Sequence, residues 1–171
     1  MLVVDDRRAR DLHATNGHAW RLVTDGVMGG VSQGQLTVET TAGRSCIRLR
    51  GEVSLDHNGG FIQAALELAD DQPLDASAYA GLVLDVYGNH EAYNVHLRTE
   101  DLSRPWQSYR ARFDTKPEWQ TVKLPFDRFI PHRTTIALDL RCVRRLGLVA
   151  IGRAFTVDVC LARLALYGTS R

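Results

Sequence analysis

The sequence predicts an all-β chain with little helix, folded as an antiparallel sandwich or barrel. Three observations carry that prediction. Short segments alternate apolar and polar residues at a period of two, clusters of Gly, Pro, Asn and Asp punctuate them, and no segment bears a long apolar stripe at helical spacing. A parallel α/β sheet needs crossover helices, and no stretch of the chain is free to build them.

Taken in order, "AWRLV" around Trp20 reads as strand-like, and the glycine-rich "TDGVMGGVSQG" turns the chain into the next strand. In "QLTVETT" Leu36 and Val38 face one way and Gln35, Thr37 and Glu39 the other; in "RSCIRLRG" Ile47 and Leu49 alternate with Arg48 and Arg50. Asn58-Gly59 signals a turn, after which Phe61 and Ile62 open a strand. "GLVLDVYG" sets Leu82, Leu84 and Val86 against Val83, Asp85 and Tyr87. "AYNVHLRT" sets Tyr93, Val95 and Leu97 against Asn94, His96 and Arg98, and "QSYRARF" sets Tyr109, Ala111 and Phe113 against Ser108, Arg110 and Arg112. "EWQTVKL" is strand-like, with Trp119 read, like Trp20, as packing at a core or edge. Helix is confined to a turn at Pro125–Phe129 and a short piece near Leu138–Arg145. In the last strand, "FTVDVCLARLALYG", the apolar phase runs Phe155, Val157, Val159, Leu161 and then shifts to Leu164 and Leu166. A phase change inside one strand predicts a bulge, or a crossing between sheets, near Ala162–Arg163.

The 171 residues fit one domain, 1–171, with its core over about 18–168. A formal net charge of +1 gives no global field to draw in nucleic acid or an anionic membrane. "MLVVDDRRARDLHATNG" lacks the apolar stretch of a signal peptide, and no later segment is a continuous membrane span. Cys46, Cys142 and Cys160 form an odd set without CxxC spacing, which reads as reduced thiols and a cytoplasmic location.

The motifs of catalysis fail one by one. No Lys follows the glycines of "DGVMGGVSQG", and a strand rather than a helix comes next, so neither a P-loop nor a dinucleotide fingerprint is present. Ser32 stands outside any G-x-S-x-G elbow, Asp56-His57 reads as turn chemistry, and His132 follows Pro131 in a loop with nothing to orient it. Glu52, Asp56, Glu100 and Asp101 flank turns instead of forming a hydrolytic pair. Asp25 and Asp56 lack the ordered oxygen spacing of a calcium loop, and the Cys and His residues are too scattered for zinc. The expectation is no catalytic residue, no cofactor and no metal.

"W…TDGVMGGVS", "GEVSLDHNGGF", "YAGLVLDVYG", "YNVHLRT", "PWQSYRARFDT", "EWQTVKLPFDRFIP" and "RRLGLVAIG" follow one another in that order. On these motifs the chain resembles the CIA30 family, relatives of the mitochondrial complex I intermediate-associated protein 30, from Trp20 to Tyr167. The resemblance implies a galactose-binding-domain-like jelly roll: two antiparallel sheets, one of them exposing a concave face. It also implies a role in binding or assembly, with no catalytic residues to carry over. Mitochondrial relatives assist the assembly of respiratory complex I; without an Arg- and Ser-rich transit segment, this chain is similar to the short bacterial branch.

A candidate surface follows from the alternation. If "YNVHLRT" and "QSYRARF" pair as a hairpin, Asn94, His96 and Arg98 share a face with Ser108, Arg110 and Arg112, with Asp85 alongside from the preceding strand. Trp106 and Gln107 stand at the rim, where Pro105 stiffens the loop. Guanidinium forks supply directed donors and an indole supplies a flat apolar platform, which suits an anionic group or a sugar. The wet face of an ordinary sheet carries similar arginines. Two functional readings follow: a non-catalytic assembly module working through protein contacts, with complex I subunits as candidate partners, and a carbohydrate or small-anion binder using the concave face. An enzyme of unrecognised mechanism comes third.

Overall fold

Period-two alternation gives each strand one apolar side, and two sheets built from such strands bury those sides against each other. The computed structural model describes residues 1–168 apart from the Asn58 side chain; the last three positions of the expected domain lie outside the described residues. Its strands are β1 (Leu2–Asp5), β2 (Arg21–Thr24), β3 (Gln33–Thr41), β4 (Arg44–Val53), β5 (Phe61–Glu67), β6 (Tyr79–Tyr87), β7 (Ala92–Thr99), β8 (Ser108–Asp114), β9 (Gln120–Pro125), β10 (Ile130–His132), β11 (Val143–Ile151) and β12 (Phe155–Gly168). The first sheet runs β3-β4-β12-β6-β9, with β1 also on β12; the second runs β10-β8-β7-β11-β5-β2. This is a two-sheet antiparallel jelly roll. A 3₁₀ turn at Phe126–Arg128 lies within the first place where helix is expected; of the second, Leu138–Arg145, only Leu140–Cys142 is a 3₁₀ turn, and Val143–Arg145 instead open β11. No helix of the described residues is long and apolar enough to cross a membrane.

The core is the sum of the alternating faces. Ile47, Leu49, Leu82, Leu84, Val157, Val159 and Leu161 of the first sheet meet Tyr93, Val95, Leu97, Tyr109, Phe113, Leu146 and Leu148 of the second. Burying each such side chain contributes about 1.5–3 kcal/mol. The predicted irregularity in β12 is present: Leu161 pairs with Val86 and Arg163 with Asp85, leaving Ala162 as the extra residue of a bulge. The bulge keeps both Leu161 and Leu164 in the core. β12 stays in one sheet, but its flank changes hands there: β4 pairs with it up to Leu161, and β1 takes over from Leu164.

Two buried carboxylates tie the connecting segments to the sandwich. Asp5 accepts the Trp20 indole N–H at 2.8 Å and the Arg7 backbone N–H at 2.9 Å. The buried Arg7 guanidinium in turn donates to the carbonyls of Asp11 and His13, tying down the segment between β1 and β2. Trp20 is therefore a core residue with a polar anchor.

The second carboxylate explains the glycine loop. Asp25 is fully buried; one oxygen accepts the Ser32 N–H at 3.0 Å, and the other accepts the Ser32 hydroxyl and the N–H groups of Gly60 at 2.6 Å and Phe61 at 3.3 Å. A Cβ on Gly30 would lie 2.5 Å from Asp25 Oδ1, and one on Gly59 2.5 Å from Oδ2. The two double glycines, far apart in sequence, thus make room for one anion. Burial by itself raises the Asp25 pKa, but the hydrogen bonds from Ser32, Gly60 and Phe61 outweigh it and hold the group below the ordinary carboxylate value. Ser32 Oγ also accepts the Ser54 N–H at 2.9 Å, which joins this loop to the segment after β4. Both Asp25 oxygens are committed to protein donors, and the loop's work is architectural.

Candidate functional site

The hairpin of β7 and β8 forms as the alternation requires. Asn94 lies opposite Arg112 and His96 opposite Arg110. Continuing the register outward, Arg145 of β11 lies opposite both Arg98 and Glu67 of β5, and Arg21 of β2 lies opposite Ala65. On the other flank Ile130 of β10 lies opposite Arg110, and His132 lies opposite Ser108. The outer face of the second sheet therefore gathers Arg21, Arg98, Arg110, Arg112 and Arg145 against two acidic residues, Glu67 and Asp114.

Asp85 does not belong there. It sits on β6 in the first sheet, opposite Thr121 and Arg163, where Arg44 binds it at 2.9 Å and the Thr121 hydroxyl donates to it at 2.8 Å. Adjacency in sequence suggested one surface, but the chain passes from one sheet to the other between β6 and β7. His132 also differs from expectation. It lies on a strand, and Pro131 hid that strand because proline is tolerated in a sheet only at an edge, which is where β10 sits. Alternation of Ile130 and His132 around the proline was the available signal.

The outer faces of the two sheets treat charge differently. On the first, Arg48 is bound by Asp158 at 2.7 Å and Glu39 at 2.9 Å, Arg50 by Glu39 and Arg44 by Asp85. On the second, Arg145 and Arg21 share Glu67, and Arg112 reaches Asp114. Its two central arginines find no carboxylate among the described residues. Arg110 donates through Nε to the buried Ser108 hydroxyl at 2.9 Å, and Arg98 donates through Nη1 to the carbonyls of Arg104 at 2.9 Å, Pro105 at 3.2 Å and Gln107.

Arg98 and Gln107 turn out to build the loop that carries Trp106. Gln107 Oε1 accepts the N–H groups of Ser103 and Arg104, and its amide donates to the Arg133 carbonyl at 3.1 Å. The loop is thus held from below by a guanidinium and laterally by an amide. Trp106 remains 58% exposed at its tip, with the Arg104 guanidinium 5.9 Å from the ring. Trp119, by contrast, packs on the outside of the first sheet, edge-on to Tyr87 and over the buried Cys46 and Cys160.

His96 forms the floor between Arg110 and Gly147. Its Nε2 is buried with no hydrogen-bond partner. Burial first, then the neighbouring charges of Arg110 and His132, push its pKa down to about 3 from an ordinary 6.5. The unfolded chain takes up a proton near pH 6.5 that the folded chain refuses until about pH 3, so stability falls as pH drops through that window. His132 is lowered in the same direction by burial, Arg110 and Arg133. Thermal denaturation from pH 7 to pH 4.5 is expected to show declining melting temperatures, and His96→Gln to flatten the decline; an unchanged slope in that variant would contradict the assignment.

Along one end of this face an open groove of about 570 Å³ is lined by Glu67, Arg98, Thr99, Glu100, Arg144 and Arg145. Its charges are largely paired with one another, Arg145 with Glu67 and Arg144 with Glu100.

The second sheet of this jelly roll thus presents a carboxylate-poor arginine face beside a clamped, exposed tryptophan. The chain belongs to the family of Complex I intermediate-associated protein 30 (CIA30), whose pattern it matches over residues 10–159. No curated protein matches it. Among solved structures, it is similar to a family 11 carbohydrate-binding module from Clostridium thermocellum in complex with a β-1,3-1,4-mixed-linked tetrasaccharide, at TM-score 0.75 and 12% identity over 98% of this chain and 95% of that one. A family 30 carbohydrate-binding module of a cellulosomal cellulase of Clostridium thermocellum matches at TM-score 0.71 and 16% identity, over 100% of both chains. An exo-β-agarase matches at TM-score 0.65 and 10% identity, over 100% of this chain and 25% of that one. At these identities the likeness is one of fold.

Proposed function

We propose that this chain is a non-catalytic assembly module that docks an acidic segment of a protein partner on the outer face of its second sheet. The family name points to respiratory complex I subunits as that partner. The observation that carries the reading is the charge asymmetry of the two sheets: on one face Arg44, Arg48 and Arg50 are paired with carboxylates and Arg163 alone among its described strand arginines is not, whereas the centre of the other leaves Arg98 and Arg110 without a carboxylate. Trp106 supports it, since exposed aromatic anchors on rigid loops carry a disproportionate share of interface energy.

A second reading, carbohydrate binding, draws on the similarity to carbohydrate-binding modules. Neutral glucans are held by flat aromatic platforms, yet Phe61 at the end of β5 is the one phenyl, phenol or indole ring among the described outward strand positions of this face. The acidic-partner reading is therefore preferred. Affinity capture from the source cell extract, followed by mass spectrometry, tests it. Trp106→Ala is expected to lose the captured partner by about tenfold or more while the melting temperature stays close to that of the parent. Equal capture by parent and variant, or glycan-array binding in place of protein capture, would refute the proposal.

A further inference from the structure

Within this face, one spot gathers polar groups that lack partners. Arg110 stands between His96 on β7 and Ile130 on β10, with His132 one pair further along opposite Ser108. Its Nε is fixed on the Ser108 hydroxyl at 2.9 Å, so the guanidinium is oriented, while Nη1 and Nη2 have no acceptor among the described residues. None of His96, Arg110, His132 and Arg133 forms an ion pair with a described carboxylate, whereas Arg44, Arg48 and Arg145 find Asp85, Glu39, Asp158 and Glu67. Beneath Arg110, His96 Nε2 is a buried polar atom without a partner. Leaving the buried ring nitrogen without a partner is unfavourable, and the directed fork beside it is open to an occupant that accepts hydrogen bonds.

We infer that Arg110, with His96 and His132 around it, forms a subsite for one carboxylate, supplied by an Asp or Glu side chain of the docking partner. The planar guanidinium matches a carboxylate two-to-two, and the Ser108 bond leaves both terminal nitrogens for it. Ile130, 69% exposed beside Arg110, supplies apolar surface for the stem of the incoming residue or its neighbour. The inference rests on the reading of this face as the docking surface and adds which atom groups meet there.

The test is an NMR titration of the isotopically labelled full chain with acetate and with a capped Asp-Leu-Glu peptide, using chloride at equal ionic strength as the control. Side-chain signals of Arg110 and ring signals of His96 and His132 are expected to move with both carboxylates and not with chloride. Arg110→Gln is expected to weaken the response about tenfold or more, and Arg110→Lys to recover only part of it, because charge returns without the fork. Absent shifts, or an equal response in Arg110→Gln, would overturn the subsite. Tighter binding of oligoglucuronate than of the peptide would overturn the choice of a protein carboxylate. Partner capture that is lost in Trp106→Ala but intact in Arg110→Gln would remove this subsite while leaving the docking face standing.

Discussion

Replacing Asp25 with alanine is expected to lower the melting temperature by roughly 10 °C, the loss of about 4 kcal/mol in a domain of this size. The carboxylate is the common acceptor of two loops, the segment from Asp25 to Ser32 and the segment that ends at Gly60 and Phe61. Its removal strands three backbone N–H groups in a site from which water is excluded. Asp25→Asn is expected to cost nearly as much, because an amide NH₂ then faces donors on one side. Gly30→Ala and Gly59→Ala should fall in the same range, since each new methyl overlaps the carboxylate that the glycines accommodate. Differential scanning calorimetry reads all four, and an Asp25→Ala protein melting within about 2 °C of the parent would show that the loops close without their anion.

Arg98→Ala is expected to do two things at once. Stability falls by about 2 kcal/mol as the Arg104, Pro105 and Gln107 carbonyls lose their shared donor. Partner retention falls as far as in Trp106→Ala, because the loop that presents the indole is no longer fixed. Arg98→Lys should restore part of the stability and little of the binding, a lysine being unable to hold several carbonyls in fixed directions. Arg98 is thus a positioning residue, and the comparison that tests it is the ratio of lost affinity to lost stability. A variant that loses stability yet captures partner as well as the parent would separate the strap from the surface.

Much of this was readable from residue order. Alternation in "AYNVHLRT" and "QSYRARF" placed Asn94, His96, Arg98, Ser108, Arg110 and Arg112 on one face, and the phase slip in "FTVDVCLARLALYG" located the bulge at Ala162. Period-two patterning survives into the structure because a strand's two sides are fixed by covalent geometry and need no partner to be defined. β1 and β10 escaped because four and three residues give too little alternation, and Pro131 interrupts the second; β11 escaped because Leu146 to Ala150 are buried in succession and show no alternation.

What residue order determined, then, was the fold class, the face on which each side chain stands and the absence of known catalytic motifs. Tertiary structure alone decided which sheet each strand joined. It moved Asp85 away from the arginines, gathered Gly30, Gly59 and Ser32 around Asp25, and left Arg110 without a carboxylate while Arg48 found two. The reason is range: backbone periodicity acts between neighbours in sequence, whereas hydrogen bonds and ion pairs form between whatever groups the packing of two sheets brings within about 3 Å.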